Sequence, residues 1–238
     1  MRLNKFLARY AGVSRREADR LIEAGEVYVG DTVASIGMSV EDGDANVRIG
    51  SKAVVPDVAR HYYAVYKPVG YISSTVKQDK SDRLVTELVS GDGGVRLFPM
   101  GRLDKDSEGL IILTDDGELM DLVLRSRYGH EKEYHVKLEG EISNATIANI
   151  ASGGIDIGEG RPTKPCKARR ISTDMISIVL TEGMNRQIRR VLEKLGCDVV
   201  ALCRVRFMNI TLDGLEPGKS RELTPDEIKN MKEMAKAV

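Results

Sequence analysis

Gly101-Arg102-Leu103-Asp104-Lys105-Asp106-Ser107-Glu108-Gly109-Leu110-Ile111-Ile112-Leu113-Thr114 sets a charged loop directly before a nearly unbroken apolar run. Such a run, with no alternation of polar positions, is the pattern of a strand covered on both faces. Asp115-Asp116-Gly117 then turns the chain, and residues 118–124 read as a helix.

Working outward, His61-Tyr62-Tyr63-Ala64-Val65-Tyr66 is a β-type run broken by Lys67-Pro68-Val69-Gly70, and residues 84–89 form a short helical piece. Tyr134, Val136 and Leu138 alternate with His135 and Lys137, as in a half-buried strand. Residues 143–151 read as a helix, 176–180 as a strand, 184–195 as a helix closed by Gly196, and 205–210 as a strand. Thr224 caps a last helix with Pro225 at its first position. Strands interrupted by single helices imply an α+β domain over residues 61–238, with a mainly antiparallel mixed sheet flanked by helices.

The first 60 residues form a separate unit. Leu3, Phe6, Leu7 and Tyr10 recur at helical spacing up to Gly12. Ser14-Arg15-Arg16-Glu17 is a capping box, followed by the apolar stripe of Ala18, Leu21 and Ile22 and the stop at Gly25. Short strand-like pieces follow at residues 27–29, 32–33 and 47–49, and residues 51–60, with Pro56, read as a linker. Lys5, Arg9, Arg15 and Arg16 fall near one corner of the helix pair, where side chains and backbone amides can grip phosphate. The stretches 2–8, 14–19 and 21–25, with Val27 and Val29, resemble the S4-like RNA-binding domain. That resemblance makes residues 1–60 a small α/β RNA-binding domain and linker.

Thirty-six basic and 36 acidic residues cancel, which argues against a simple polyelectrolyte binder. The charge is nevertheless uneven: residues 1–20 carry six bases and two acids, and residues 164–206 carry ten bases and four acids. Two basic segments leave room for a phosphate-binding surface. No apolar run approaches the length of a membrane helix, and no signal-like stretch opens the chain, so the expected location is cytoplasmic, with no membrane partner. Cys166, Cys197 and Cys203 make neither a disulfide framework nor a zinc spacing, and His61, His130 and His135 lie far apart. No metal is expected.

Three readings of the acidic loop stand side by side. It can be a solvated turn. It can be a calcium loop, with Asp104, Asp106, Glu108 and Gly109 at EF-hand positions. Asp115 in place of the bidentate glutamate and a strand in place of the exit helix oppose that. Or Asp104 can be a catalytic acid kept ionised by an arginine. Met184-Asn185-Arg186-Gln187-Ile188-Arg189-Arg190 offers three arginines at its first turns, and Asn185 and Gln187 add amide donors.

Taken in order, 66–70, 101–110, 114–119, 132–134, 182–190 and 223–224 resemble the bacterial pseudouridine synthases of the RsuA family, behind their RNA-binding domain. Ser107 stands where threonine is common, which keeps the hydroxyl. Met184 stands where a base is common, which removes one charge. The stretches 130–134 and 183–190 look closest to the branch acting on large-subunit ribosomal RNA, whose member also accepts a tyrosine transfer RNA. The resemblance implies that Asp104 is the essential residue, that Arg189 is its buried ion-pair partner, and that Tyr134 stacks on the uracil. Arg102 would fill the space left by a flipped base, and Lys132, Asn185, Arg186, Gln187 and Arg190 would contact RNA. The expected partner is ribosomal RNA, with transfer RNA as a second class, and the expected state is a monomer. Isomerisation imports no group and oxidises nothing, so no cofactor is expected. A non-catalytic RNA-binding or ribosome-assembly protein is the alternative.

Overall fold

A computed structural model describes residues 1–44, 46–56, 60–89, 95–124 and 129–236, and these divide into two compact units. The first is carried by the described residues of 1–61, joined by Val95, Arg96 and Asp115–Gly117. Helix α1, Leu3–Tyr10, buries Leu3, Phe6 and Leu7, the spacing that predicted it. Helix α2, Arg15–Glu23, starts at Ser14, whose Oγ accepts the Glu17 N–H at 3.0 Å. Strands β1 (Val27–Val29), β2 (Thr32–Val33), β3 (Val47–Ile49) and β4 (Lys52–Ala53) follow in the antiparallel order β2-β1-β3-β4. Strand β4 corrects the expectation of a linker from residue 51: Lys52 pairs with Ile49 and Ala53 with Arg48. Both β4 residues are exposed, so no apolar alternation marked the strand. Residues 57–59 of that linker lie outside the described residues.

The second unit holds the other described residues. Its elements are β5 (Tyr62–Lys67), β6 (Tyr71–Ile72), β7 (Arg83–Leu84), a 3-10 turn (Val85–Leu88), β8 (Phe98–Pro99), β9 (Glu108–Thr114), α3 (Gly117–Leu124), β10 (Lys132–Leu138), α4 (Asn144–Ser152), β11 (Lys167–Arg170), β12 (Met175–Leu180), α5 (Gln187–Lys194), β13 (Val199–Phe207), β14 (Ile210–Thr211), β15 (Ser220–Glu222) and α6 (Pro225–Lys236). The main sheet runs β11-β12-β10-β13-β9-β5-β15, with β14 on β13 and β8 on β9. Every pairing in it is antiparallel except β13 with β9. The α+β class and the mainly antiparallel mixed sheet are therefore as expected.

Strand β9 is buried on both faces. Leu110 and Ile112 join Leu119 and Val123 of α3 and Met231 of α6 in one core. A second core packs Ile150 of α4 and Ile188, Val191 and Leu192 of α5 against Val136, Ile176, Ile178 and Leu202. Two expectations need correction. The strand predicted over 205–210 is β13, starting at 199 and ending at Phe207, because Met208 takes a positive φ of 53°. Arg204 and Arg206 interrupt the apolar pattern and hid its first half. The helix predicted from 184 begins at Gln187, because Arg186 is left-handed at φ 48°, ψ 33°. Among the described residues no helix is long and apolar enough to cross a membrane.

The β9–β13 junction has a tight contact. A Cβ on Gly109, at φ +110°, would lie 2.4 Å from the Arg204 carbonyl oxygen and 2.5 Å from its nitrogen. Gly109→Ala is expected to destabilise the protein by about 2–4 kcal/mol, through backbone strain and overpacking. Gly117→Ala, in helix α3 with nothing within 4 Å, is the control and should not destabilise. Urea denaturation of both variants decides it. Equal midpoints would mean that the two strands separate without cost.

Candidate active site

The acidic loop is held from below by its backbone. Ser73 Oγ donates to the Leu103 carbonyl at 2.8 Å and accepts the Leu103 N–H at 3.0 Å. The Ser107 N–H closes a turn onto the Asp104 carbonyl at 3.1 Å. Lys67, fully buried at the end of β5, donates from Nζ to the carbonyls of Ser107 at 2.5 Å and Pro68 at 3.1 Å. Asp104 is thus fixed at both sides while its own side chain stays 32% exposed.

The partner of Asp104 is not the arginine expected. Arg186 Nη1 lies 3.6 Å from Asp104 Oδ2, and its fork grips Asp106 at 3.1 and 2.9 Å. Arg189 donates from Nη2 to the Asp106 carbonyl at 2.8 Å, and its Nε approaches Asp106 Oδ2 at 3.4 Å. The expected buried Asp104–Arg189 pair is corrected on both counts. Arg186 leaves the helix at its N-cap in a left-handed conformation and reaches the acid first. The hydrogen bond from Arg186 holds the Asp106 carboxyl below the usual carboxylate range, with the Arg189 charge adding to it.

Glu182 sets up the arginine turn. It is buried and accepts from Arg161 Nη1 at 2.6 Å, the Lys164 N–H at 2.8 Å and Gln187 Nε2 at 2.7 Å. Burial alone would raise its pKa, but these donors together lower it. Gln187 Oε1 in turn accepts the Met184 N–H at 3.1 Å. Both ends of the Gln187 amide are therefore used inside the protein. Gln187 thus organises the turn from the wall of the cavity.

Asp104 opens into a cavity of about 580 Å³ that Arg102, Tyr134, Asn185 and Arg186 also line. Tyr134 reaches it from β10, where it pairs with Arg204 of β13. Lys132, two residues away on the same face, lines the cavity from a half-buried position. Burial, with Arg204 adding repulsion, pushes its amine down to about 8. It lines the cavity from the protein side as a half-buried cation. Arg102 and Asn185 are exposed. Arg190 is tied to Glu159. In the first unit Arg15 and Arg16 are exposed at the start of α2 and Lys5 is half-buried. Arg9 is instead bound to Asp42 at 2.8 Å with its side chain 19% exposed, so it does not stand in the open corner as expected.

Lys67 and Arg204 were missed as site residues. A single lysine at a strand end and an arginine inside an apolar strand were the only signals, and neither says which way the side chain points. Burial lowers Lys67 to about 8, against the pull of Asp106 and Asp104. Below that pH both folded and unfolded chains carry the proton, and the burial penalty is fully present. Between 8 and 10.5 the unfolded chain holds a proton that the folded chain has lost, so stability rises with pH. Across that window wild type should gain about 3 kcal/mol relative to Lys67→Met. Denaturant titrations of both proteins from pH 7 to 10 measure it, and a constant gap would show that Lys67 does not titrate there.

Among the described residues no group of three His, Cys, Asp or Glu side chains is placed to hold a metal ion. The model of the RNA pseudouridylate synthase family matches residues 61–194, and that of the S4 domain matches residues 1–46. The chain is 40% identical over 230 residues to dual-specificity RNA pseudouridine synthase RluF of Escherichia coli (strain K12), covering 96% of this chain and 77% of that protein. It is 36% identical over 241 residues to ribosomal large subunit pseudouridine synthase B of Bacillus subtilis (strain 168), covering 98% and 96%. A pseudouridylate synthase crystal structure superposes with a TM-score of 0.70 at 28% identity, covering 97% of this chain and 99% of that one.

Proposed function

Because the chain belongs to the RNA pseudouridylate synthase family, we propose that it isomerises one uridine of ribosomal RNA to pseudouridine, with Asp104 as the essential acid. The supporting observation is the convergence of Asp104, Tyr134 and Arg186 on one cavity of about 580 Å³, within the size range of small-ligand sites. A uridine in structured RNA reaches such a cavity only by leaving its stack. Arg102, two residues before Asp104 and exposed, braces the space it leaves. Tyr134 stacks on the uracil, Arg186 balances Asp104, and Arg189 holds the turn through Asp106. Asn185 and Arg190 lie on the RNA side. The alternative of a purely binding or assembly protein is set aside by membership of an enzyme family.

Finer readings follow from the same proposal. Residues 1–60 grip RNA through Lys5, Arg15 and Arg16, and residues 61–238 carry the chemistry. The enzyme works as a cytoplasmic monomer, on ribosomal RNA first and on a transfer RNA as a second substrate. Mapping pseudouridines by carbodiimide-primer extension in cells with and without the gene tests the function. One ribosomal stop should vanish with the gene; an unchanged map of ribosomal and transfer RNA defeats the reading. A chain lacking residues 1–60 is expected to bind ribosomal RNA fragments at least about tenfold more weakly near physiological salt, with a shallower salt dependence. Equal affinity for both chains removes the role given to that unit.

A further inference from the structure

Among the described residues Arg204 is a buried cation with an unused donor. It is 2% exposed and lines the cavity that holds Asp104. Its Nε donates to the Leu110 carbonyl at 2.7 Å, which fixes its direction, but its Nη2 is buried with no hydrogen-bond partner. Among the described residues no carboxylate pairs with it. Its Cζ lies 5.4 Å from the Phe207 ring centroid, and Lys132 Nζ lies 5.7 Å from the same ring. A ring shared by two cations recovers only part of what the burial of Arg204 costs. Beside half-buried Lys132, which donates to the His130 carbonyl, the buried Arg204 Nη2 is a donor that calls for an acceptor the protein does not supply.

We propose that Arg204 is a further catalytic residue: its guanidinium, buried in the lining of the cavity, holds the carbonyl oxygens of the uracil while the base is detached. The inference rests on the isomerase reading given above. The base is favoured over a phosphate because it is the part of a flipped nucleotide that enters deepest, whereas the backbone stays at the mouth. Tyr134 also stands directly across from Arg204 on the neighbouring strand, on the same face. The chemistry requires such a group. The C1′–N1 bond breaks with its electron pair going to the base, which leaves an anion spread over O2 and O4. If Asp104 attacks C1′, the ester it forms is later displaced by C5. If Asp104 removes the 2′ proton, that proton returns as C5 adds. Either way C5–C1′ forms, the C5 proton leaves and N1 gains one. Fixed donors aimed at charge that appears only during the reaction lower its barrier.

The test compares wild type, Arg204→Met, Arg204→Lys and Asp104→Asn in single-turnover conversion of the mapped RNA, with RNA affinity measured against salt and folding measured by thermal melting. Arg204→Met should convert about 100-fold more slowly, the loss typical of one such donor. Its RNA affinity should stay within about threefold and its salt slope should be unchanged. Arg204→Lys should regain about tenfold of the lost rate, because the charge returns without the fork. A wild-type rate in Arg204→Met, or a rate loss no larger than the unfolded fraction in both variants, overturns the proposal. So does a salt slope lower by about one, the mark of a phosphate contact. A wild type as inert as Asp104→Asn on every RNA would instead defeat the isomerase reading, which keeps the two failures apart.

Discussion

Asp104→Asn is expected to slow uridine conversion by at least about 10²–10⁴-fold, the range carried by a positioned acid–base or nucleophilic group. The amide keeps the shape of the side chain, and the loop around it is held by Ser73, Lys67 and the Ser107 N–H rather than by the carboxylate. Folding and RNA affinity should therefore change little. The carboxylate also faces a polyanion, so its removal can tighten RNA binding slightly. Single-turnover conversion and filter binding on the same RNA separate the two effects. Conversion near the wild-type rate would take the central role away from Asp104.

Arg186→Met carries the second large effect. This one guanidinium lies 3.6 Å from Asp104 and is bidentate on Asp106. Without it two carboxylates on one turn face the incoming phosphates, and the turn loses its link to the start of α5. A displacement of about 1 Å at a reacting group is worth about 100-fold in rate, and that is the loss expected. Arg186→Lys should recover only part, since an ammonium cannot span both acids. Arg189→Met should cost about tenfold, because Arg189 holds the turn through Asp106 and not through Asp104. Rates measured for the three variants side by side decide the order. A larger loss in Arg189→Met would return the partner role to that residue.

The sequence carried the parts of the fold that depend on local pattern. The apolar run after Gly109, the Ser14 cap and the Pro225 start each encode their element through nearest neighbours. Strand β11 did not, because Lys167-Ala-Arg-Arg lies at the sheet edge with alternate residues exposed and offers no apolar stripe. At the site, the residue types of Asp104 and Tyr134 and the arginine cluster were legible through their motifs. Which arginine meets which acid was not. The contact spans 82 positions and depends on one left-handed residue at the helix start. Burial of Lys67, Lys132 and Arg204 was hidden for a similar reason. Only the assembled sheet determines which side of a strand faces the cavity.

The parallel junction of β9 with β13 has a consequence for how the enzyme comes into being. It joins Glu108 to Cys203 and Gly109 to Arg204, across 95 residues of chain. Closing a loop of that length costs about 4 kcal/mol of chain entropy before any contact rewards it. The neighbouring ladders of β11 with β12 and β13 with β14 close over far shorter distances, at a smaller entropic cost. During synthesis the acidic loop therefore leaves the ribosome long before Arg186, Arg204 and the strand that locks them in place. Until that strand docks the cavity lacks one wall, so catalytic competence waits on a long-range closure, and the pairing of β15 with β5, Ser220 to Val65, closes a still longer stretch of chain.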